Sequence, residues 1–402
     1  MKIGLIKERK TPPDRRVVFS PEELENIKKL YPELDVVVEP SDIRIFPDSA
    51  YRKKGFIVSS DLADCDVLLG VKEVPIEALI PNKKYFFFSH TLKEQPYNRN
   101  LLAAILAKNI TLYDHETIVD EQGMRLIGFG RYAGIVGTFN GFRALGIRDE
   151  LYTLDKVEHL ADYDAVKKEL QKVKLPNTLK VLLTGTGKVA HGALEIIHEL
   201  GIKEVEVNDY LQKEFKEPVF CRIDVLDYNK RKDGSVIDNQ DFYDHPEAYQ
   251  SDFFRFARVT DFFIAGHFYG EHAPYLFTRE DAKKTDFKIN MIADISCDID
   301  GPVASTIRPS TIAEPFYAYD PQTEKELKFG AKGTIGVMAV DNLPCELPKD
   351  ASEGFGKMFK EHVIPALFNG DQRGILSRAK MTENGQLTPR FAYLKDYVGA
   401  KA

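Results

Sequence analysis

The stretch LKVLLTGTGKVAHGALEIIHELG, residues 179–201, sets an apolar strand, a glycine-rich turn and an amphipathic helix end to end. Few folds accept that succession. Gly185 permits the tight turn, Gly187 lets the backbone come close to a pyrophosphate, and Ala190 keeps the third position small so that helix and strand pack closely. Thr186, Lys188 and Val189 complete the loop, and the helix start supplies N–H groups and positive potential for a phosphate. The following strand, VEVND, is expected to end at Asp209, nineteen positions beyond Ala190. A dinucleotide-binding fold places there the acid that accepts the ribose hydroxyls. An acid favours NAD over NADP, since a 2′-phosphate wants a cation beside it, and here Tyr210 comes next and Lys213 is the nearest downstream cation. A glycine pattern alone also fits an ordinary loop; strand, helix and acid in order point to the dinucleotide, with NADP the second option.

The same grammar runs through the first third of the chain. LDVVVEP, CDVLLGV, KYFFFSH and NITLYDH are strand-like, and PEELENIKKLYP and NRNLLAAILAKN have helical spacing. Their alternation predicts a parallel α/β sheet over residues 1 to about 130. GRYAGIVGTFNGFRALGIR reads as a linking helix, and residues 147–178 as a polar surface excursion before the second α/β unit. A length of 402 residues suits two or three domains. The net charge of −7 gives no footprint for nucleic acid or an anionic membrane, so small-molecule partners are expected. Cysteines 65, 221, 297 and 345 are too scattered for a zinc site or a disulfide framework, so no metal is expected. MKIGLIKERKTPPDRR lacks the apolar core of a signal peptide and no run approaches a membrane span, so the expected location is the cytoplasm.

Chemistry-bearing residues cluster at strand ends. Lys72 and Glu73 close CDVLLGVKEVP, His90 closes KYFFFSHTLKEQ, His115 and Glu116 close NITLYDHE, and Asp14, Arg15 and Arg16 follow the first strand. Parallel neighbouring strands would bring them to one rim. In the second unit, Gly266 and His267 after VTDFFIA, and Asp294 to Asp298 after FKINMIA, are candidate walls of a nicotinamide site. Each also suits a plain strand-ending turn. Histidine titrates near neutrality and suits proton transfer. A lysine acts as a base only when burial or nearby cations lower its pKa.

DRRVVFSP, VKEVP, FFFSHTLKEQ, LYDHE, FGRYAG, TGTGKV, DHPEAYQSDF, DISCDIDG, TIAEPFYAYDP and VDNLPCELPKDAS occur in that order. Together they resemble lysine-forming saccharopine dehydrogenase, in particular the lysine-ketoglutarate reductase half of the bifunctional animal and plant enzymes, over residues 3 to about 395. A lysine after one strand and a histidine after the next are shared with alanine dehydrogenases and transhydrogenases, which lack counterparts of DHPEAYQSDF and TIAEPFYAYDP. The resemblance implies two Rossmann-like doubly wound parallel-sheet domains with a cleft between them. Residues 1–133, completed by 343–402, would form the catalytic domain and 134–342 the NAD(P)-binding one, with Leu343 near the cofactor.

The resemblance further implies that Lys72 and His90 are the acid/base pair, that Arg16 holds a substrate carboxylate, and that Glu73 and Glu116 are acidic neighbours tuning the site. Lys93 and Arg131 would assist in binding carboxylates. The implied reaction joins lysine and 2-oxoglutarate through an imine to saccharopine, at the expense of NAD(P)H. No counterpart of the second, glutamate-forming half of the bifunctional enzymes is expected. An alanine-dehydrogenase-like enzyme and a non-catalytic NAD-binding protein are the alternatives. The segment from Asp209 to Val259 reads as a long insertion, too polar for core.

Overall fold

In the computed structural model, which describes residues 1–270 and 272–399, the first sheet has six parallel strands in the order β3-β2-β1-β4-β5-β6. They are β1 (Lys2–Leu5), β2 (Asp35–Val38), β3 (Ile57–Val58), β4 (Val67–Leu69), β5 (Lys84–Phe87) and β6 (Thr111–Asp114). Their apolar residues run on without alternation because both faces are covered, as is usual for parallel sheets. Phe86 enters a core with Phe19, Phe355 and Phe359, whereas Phe87 enters the opposite one with Leu102 and Ile105. Phe355 and Phe359 come from the helix Pro348–Phe368, and Ser352 on that helix accepts the Val17 N–H at 3.0 Å. The end of the chain thus closes the domain that its start began.

The chain divides into Met1–Phe129 with Pro348–Ala402, and Gly130–Leu347. These boundaries lie a few residues from the expected 133/134 and 342/343. The helix Gly130–Arg148 belongs whole to the second unit, and the return comes only at the proline that starts the last long helix. No described helix is long and apolar enough to cross a membrane.

The second unit's main sheet contains β7 (Lys180–Thr184), β8 (Lys203–Glu204), β9 (Val219–Ile223), β12 (Phe262–Ala265), β13 (Met291–Asp294), β14 (Phe316–Asp320), β15 (Lys325–Leu327) and β16 (Ile335–Met338); β10 (Asn229–Arg231) and β11 (Tyr249–Ser251) form a separate antiparallel ribbon. The order is β15-β14-β16-β13-β12-β7-β9-β8. Six strands are parallel, while β14 and β15 add an antiparallel edge, so this sheet is mixed rather than purely parallel.

Two expectations need correction here. The strand VEVND does not form: pairing ends with β8, and Asp209 lies inside the helix Val207–Gln212, whose Tyr210 is fully buried. The supposed insertion from Asp209 to Val259 contains β9, which pairs directly with β7. The rest of it is anchored by the buried rings of Tyr228, Phe242, Tyr249 and Phe253. Most of its aromatics are core, while Tyr243 is exposed.

The helices Gly130–Arg148 and Lys188–Glu199 cross with backbones in contact. A Cβ on Gly134 would lie 2.0 Å from the Val189 carbonyl oxygen, and one on Gly192 would lie 1.9 Å from that of Arg131. Neither obstacle is a side chain that can rotate away. Gly192→Ala gains about 1 kcal/mol of helix propensity but forces the helices apart, so it should cost about 2 kcal/mol or more net. Urea unfolding of the two proteins measures this, and an unchanged midpoint would refute the crossing.

Candidate active site

The strand order of the first sheet reverses between β1 and β4, the place where such sheets receive ligands beyond their carboxyl ends. Glu8, three residues past β1, spans the gap: its carboxylate accepts the N–H groups of Val71 at 2.7 Å and Lys72 at 2.8 Å, just past β4. Burial and the charge of Asp14 push Glu8 up to about 7. Lys72 is thereby fixed at the rim. Burial, then the charges of Arg16 and Lys10, hold its ammonium below the usual lysine range. Arg16 is 3% exposed. Its Nε and Nη2 donate to the Asp14 carboxylate at 3.0 and 2.6 Å, and its guanidinium lies 4.3 Å from the centre of the Phe129 ring.

His90 leaves β5 in the left-handed region, with φ of 52°. Its Nδ1 is 2.7 Å from Glu73 Oε1, which leaves Nε2 as the nitrogen that can exchange a proton outward. Burial raises the Glu73 carboxyl, but the hydrogen bond and charge of His90 and the charge of Lys10 outweigh it and bring it to about 2. The turn carrying His90 is held from β6: Asp114 Oδ2 accepts the Ser89 N–H at 2.7 Å and its hydroxyl at 2.5 Å. Burial pushes the Asp114 carboxyl up to about 6. Glu8 and Asp114 escaped the sequence reading. Their only signal is position, each at or just beyond a strand end.

Other residues stand elsewhere than expected. His115 is not on the rim. Its ring is buried, within 4.9 to 5.8 Å of the rings of Phe88, Phe355 and Phe359, and its Nε2 is 2.8 Å from the Gly70 carbonyl oxygen. Burial lowers it to about 4. Glu116 turns to Arg125 at 2.8 Å rather than toward Lys72. Lys93 is exposed on the turn after His90. Arg131 belongs to the second unit, where its Nε and Nη2 donate to both oxygens of Glu195 at 2.5 and 2.7 Å; it ties two helices together.

In the second unit, Gly185 adopts φ of 100° and donates its N–H to the Ile223 carbonyl at 2.9 Å. A Cβ there would lie 2.7 Å from the Gly266 carbonyl oxygen, so only glycine fits. Gly187 caps the helix Lys188–Glu199, and a Cβ on it would meet nothing within 4 Å. Thr186, Gly187 and Lys188 are exposed, with Val189 half-buried. Open ground over N–H groups at a helix start fits a dinucleotide's pyrophosphate.

His267 is buried against this loop, its Nδ1 2.7 Å from Thr184 Oγ1; burial lowers it to about 4, and its Nε2 has no hydrogen-bond partner among the described residues. Asp294 is not an open wall. Its buried carboxylate accepts Ser296 Oγ at 2.6 Å, the Cys297 N–H at 3.1 Å and Thr306 Oγ1 at 2.6 Å, so it shapes the loop behind it. Leu343 is 2% exposed and packs beneath Gly137, whose Cβ would meet it at 3.0 Å. Asp209 pairs with Lys213 at 2.8 Å. Among the described residues no group of three or more His, Cys, Asp or Glu is arranged to hold a metal ion.

Residues 4–136 match the family model described as alanine dehydrogenase/PNT, N-terminal domain. Over 95% of its length the chain is 30% identical to the mitochondrial alpha-aminoadipic semialdehyde synthase of Mus musculus, of which it covers 46%; it spans about half the length of this relative. It is 26% identical, over 86% of its length, to the saccharopine dehydrogenase [NAD(+), L-lysine-forming] of Yarrowia lipolytica, covering 87% of that protein. The solved structure of an L-alanine dehydrogenase matches with a TM-score of 0.67 at 16% identity, covering 99% of this chain and 100% of that one. That likeness is one of fold.

The buried His115 makes stability depend on pH. Its folded pKa lies below the usual 6.5, so as pH falls from about 6.5 toward 4 the unfolded chain takes up the proton first and stability is lost. Between pH 7 and 5, wild type should lose about 2 kcal/mol more than His115→Phe. Urea titrations at the two pH values test this; parallel losses would show that the ring is not held neutral.

Proposed function

We propose that this chain, whose residues 4–136 belong to the alanine dehydrogenase/PNT N-terminal family and which is related over most of its length to lysine-forming saccharopine dehydrogenases, interconverts saccharopine with lysine and 2-oxoglutarate. The observation that carries this reading is Lys72, half-buried and crowded by Arg16 and Lys10, in a chain that also sets His90 on Glu73, the residue after Lys72. Two proton carriers with different bases suit a reaction that both makes and breaks a carbinolamine.

His90 Nε2 takes a proton from the incoming ε-ammonium of lysine, freeing the amine to attack the keto carbon. The attacking nitrogen then passes a proton to the new alkoxide, and Lys72 Nζ gives one to the resulting hydroxyl, which leaves as water so that a protonated imine remains. In the oxidative direction the same two atoms return the protons. Glu73 stabilises the imidazolium that forms on His90. Arg16, its fork set by Asp14, and Lys93 anchor substrate carboxylates. Arg131 is left out of this set because its guanidinium is spent on Glu195.

The nicotinamide of a bound dinucleotide, NAD or alternatively NADP, supplies or accepts the hydride. Gly185, Thr186, Gly187, Lys188 and Val189 would hold its pyrophosphate, with Gly266 and His267 beside them.

Oxidation of NADH in the presence of lysine and 2-oxoglutarate tests the reading. Consumption with pyruvate and ammonia instead would make the chain an alanine-dehydrogenase-like enzyme, and consumption with neither set would leave a dinucleotide-binding protein. Lys72→Met and His90→Gln should each lower kcat by roughly 10²-fold or more. Unchanged turnover in both variants would remove the acid/base assignment.

A further inference from the structure

The sequence rule that places a ribose-binding acid about twenty residues beyond the glycine loop assumes that the second strand of the unit lies beside the first. Here it does not. The third strand, β9, is inserted between them: β7 pairs with β9 over all five residues, Thr184 opposite Ile223, and β8 pairs only with the outer side of β9. At a strand spacing of about 4.8 Å, β8 lies roughly 10 Å from β7. Asp209 is also directed to the wrong end. Lys180, which opens β7, donates through Nζ to the carbonyls of Tyr210 and Lys213. The Tyr210 hydroxyl is 2.9 Å from Thr260 Oγ1, just before β12. Both tethers hold the Asp209 helix toward the amino edge of the sheet, whereas the glycine loop leaves the carboxyl edge.

We propose that Asp224, the residue following β9, is the carboxylate that takes an adenosine ribose hydroxyl; this rests on the dinucleotide reading of the glycine loop. Gly185 donates its N–H to Ile223, so Asp224 stands directly beside the turn. It is half-buried, with Oδ1 accepting the Val225 N–H at 2.8 Å and Oδ2 accepting Asn239 Nδ2 at 2.6 Å. In the capping box the same carboxylate also accepts the Asp227 N–H; of about four acceptor sites, one is left for a ribose hydroxyl.

Asn239 is a positioning residue that fixes the carboxylate's rotamer. On the other side of the turn, the buried His267 leaves Nε2 without a hydrogen-bond partner among the described residues. Its ring faces Tyr228 at 6.3 Å, at the end of the helix Val225–Tyr228 that Asp224 caps. Asp227, whose carboxylate accepts the Asp224 N–H at 2.8 Å, adds a second negative charge and makes the corner hostile to a 2′-phosphate.

The test is direct binding of NADH and NADPH to the full chain, read by nicotinamide fluorescence and by calorimetry. Wild type should prefer NADH. Asp224→Asn, and Asp224→Ser as a second variant that keeps a capping oxygen, should weaken NADH by about tenfold or more and NADPH far less, so that selectivity collapses. Asp209→Asn should change neither by more than about twofold. The proposal is overturned if Asp209→Asn weakens NADH while the Asp224 variants do not, or if wild type prefers NADPH. It is also overturned if the Asp224 variants lose both dinucleotides equally, the mark of a helix cap alone. Wild type binding neither dinucleotide is a separate result, and it removes the cofactor reading itself.

Discussion

The Glu8 carboxylate is the piece on which the first domain's working edge depends. Where the order of a parallel sheet reverses, the chains leaving two neighbouring strands diverge, and backbone N–H groups lose their ladder partners there. Glu8 supplies both missing acceptors to Val71 and Lys72, from a position where burial disfavours its charge. Two backbone hydrogen bonds to a carboxylate offset part of that penalty. One side chain therefore sets the direction in which the β4 exit travels, and with it the location of Lys72.

Around this bridge the charges are graded. Glu73, bound to His90, is brought to about 2, while Glu8 is raised to about 7. One carboxylate is firmly ionised and the other is close to neutrality, a separation that environment alone produces in two residues of the same type. Lys72 has Arg16 and Lys10 as its strongest charged neighbours, which favours giving up its proton. Glu73 and Asp14 pull the other way and are outweighed.

Much of this was legible in the sequence. Apolar runs located β2, β4, β5, β6 and β7, and the glycine loop appears where strand and helix flank it. Lys72 and His90 could be marked because strand ends in a parallel sheet share an edge. What could not be read was which strand lies beside which. Nothing in the periodicity of VEVND or PVFCRID says that β9 enters the sheet between β7 and β8, and the meaning of Asp209 and Asp224 changes with that order. His115 misled for a related reason. It occupies a strand end as His90 does, but the rings that enclose it come from Phe355 and Phe359, more than two hundred residues away. Glu8 sits in a run of charges, KERK, that looks like solvated surface until the fold buries it.

The long-range closure of the first domain also bears on the order in which the protein takes shape as it is made. The Val17 N–H waits for the hydroxyl of Ser352, and Phe19 and Phe86 wait for Phe359. At roughly 5 to 20 residues per second, a ribosome needs roughly 17 to 70 seconds to reach those partners. The second domain, continuous from Gly130 to Leu347, has all its strands by then. The nascent chain therefore completes its middle before its beginning, and the first sheet, with one face uncovered in the interval, is the stretch that chaperones would have reason to hold.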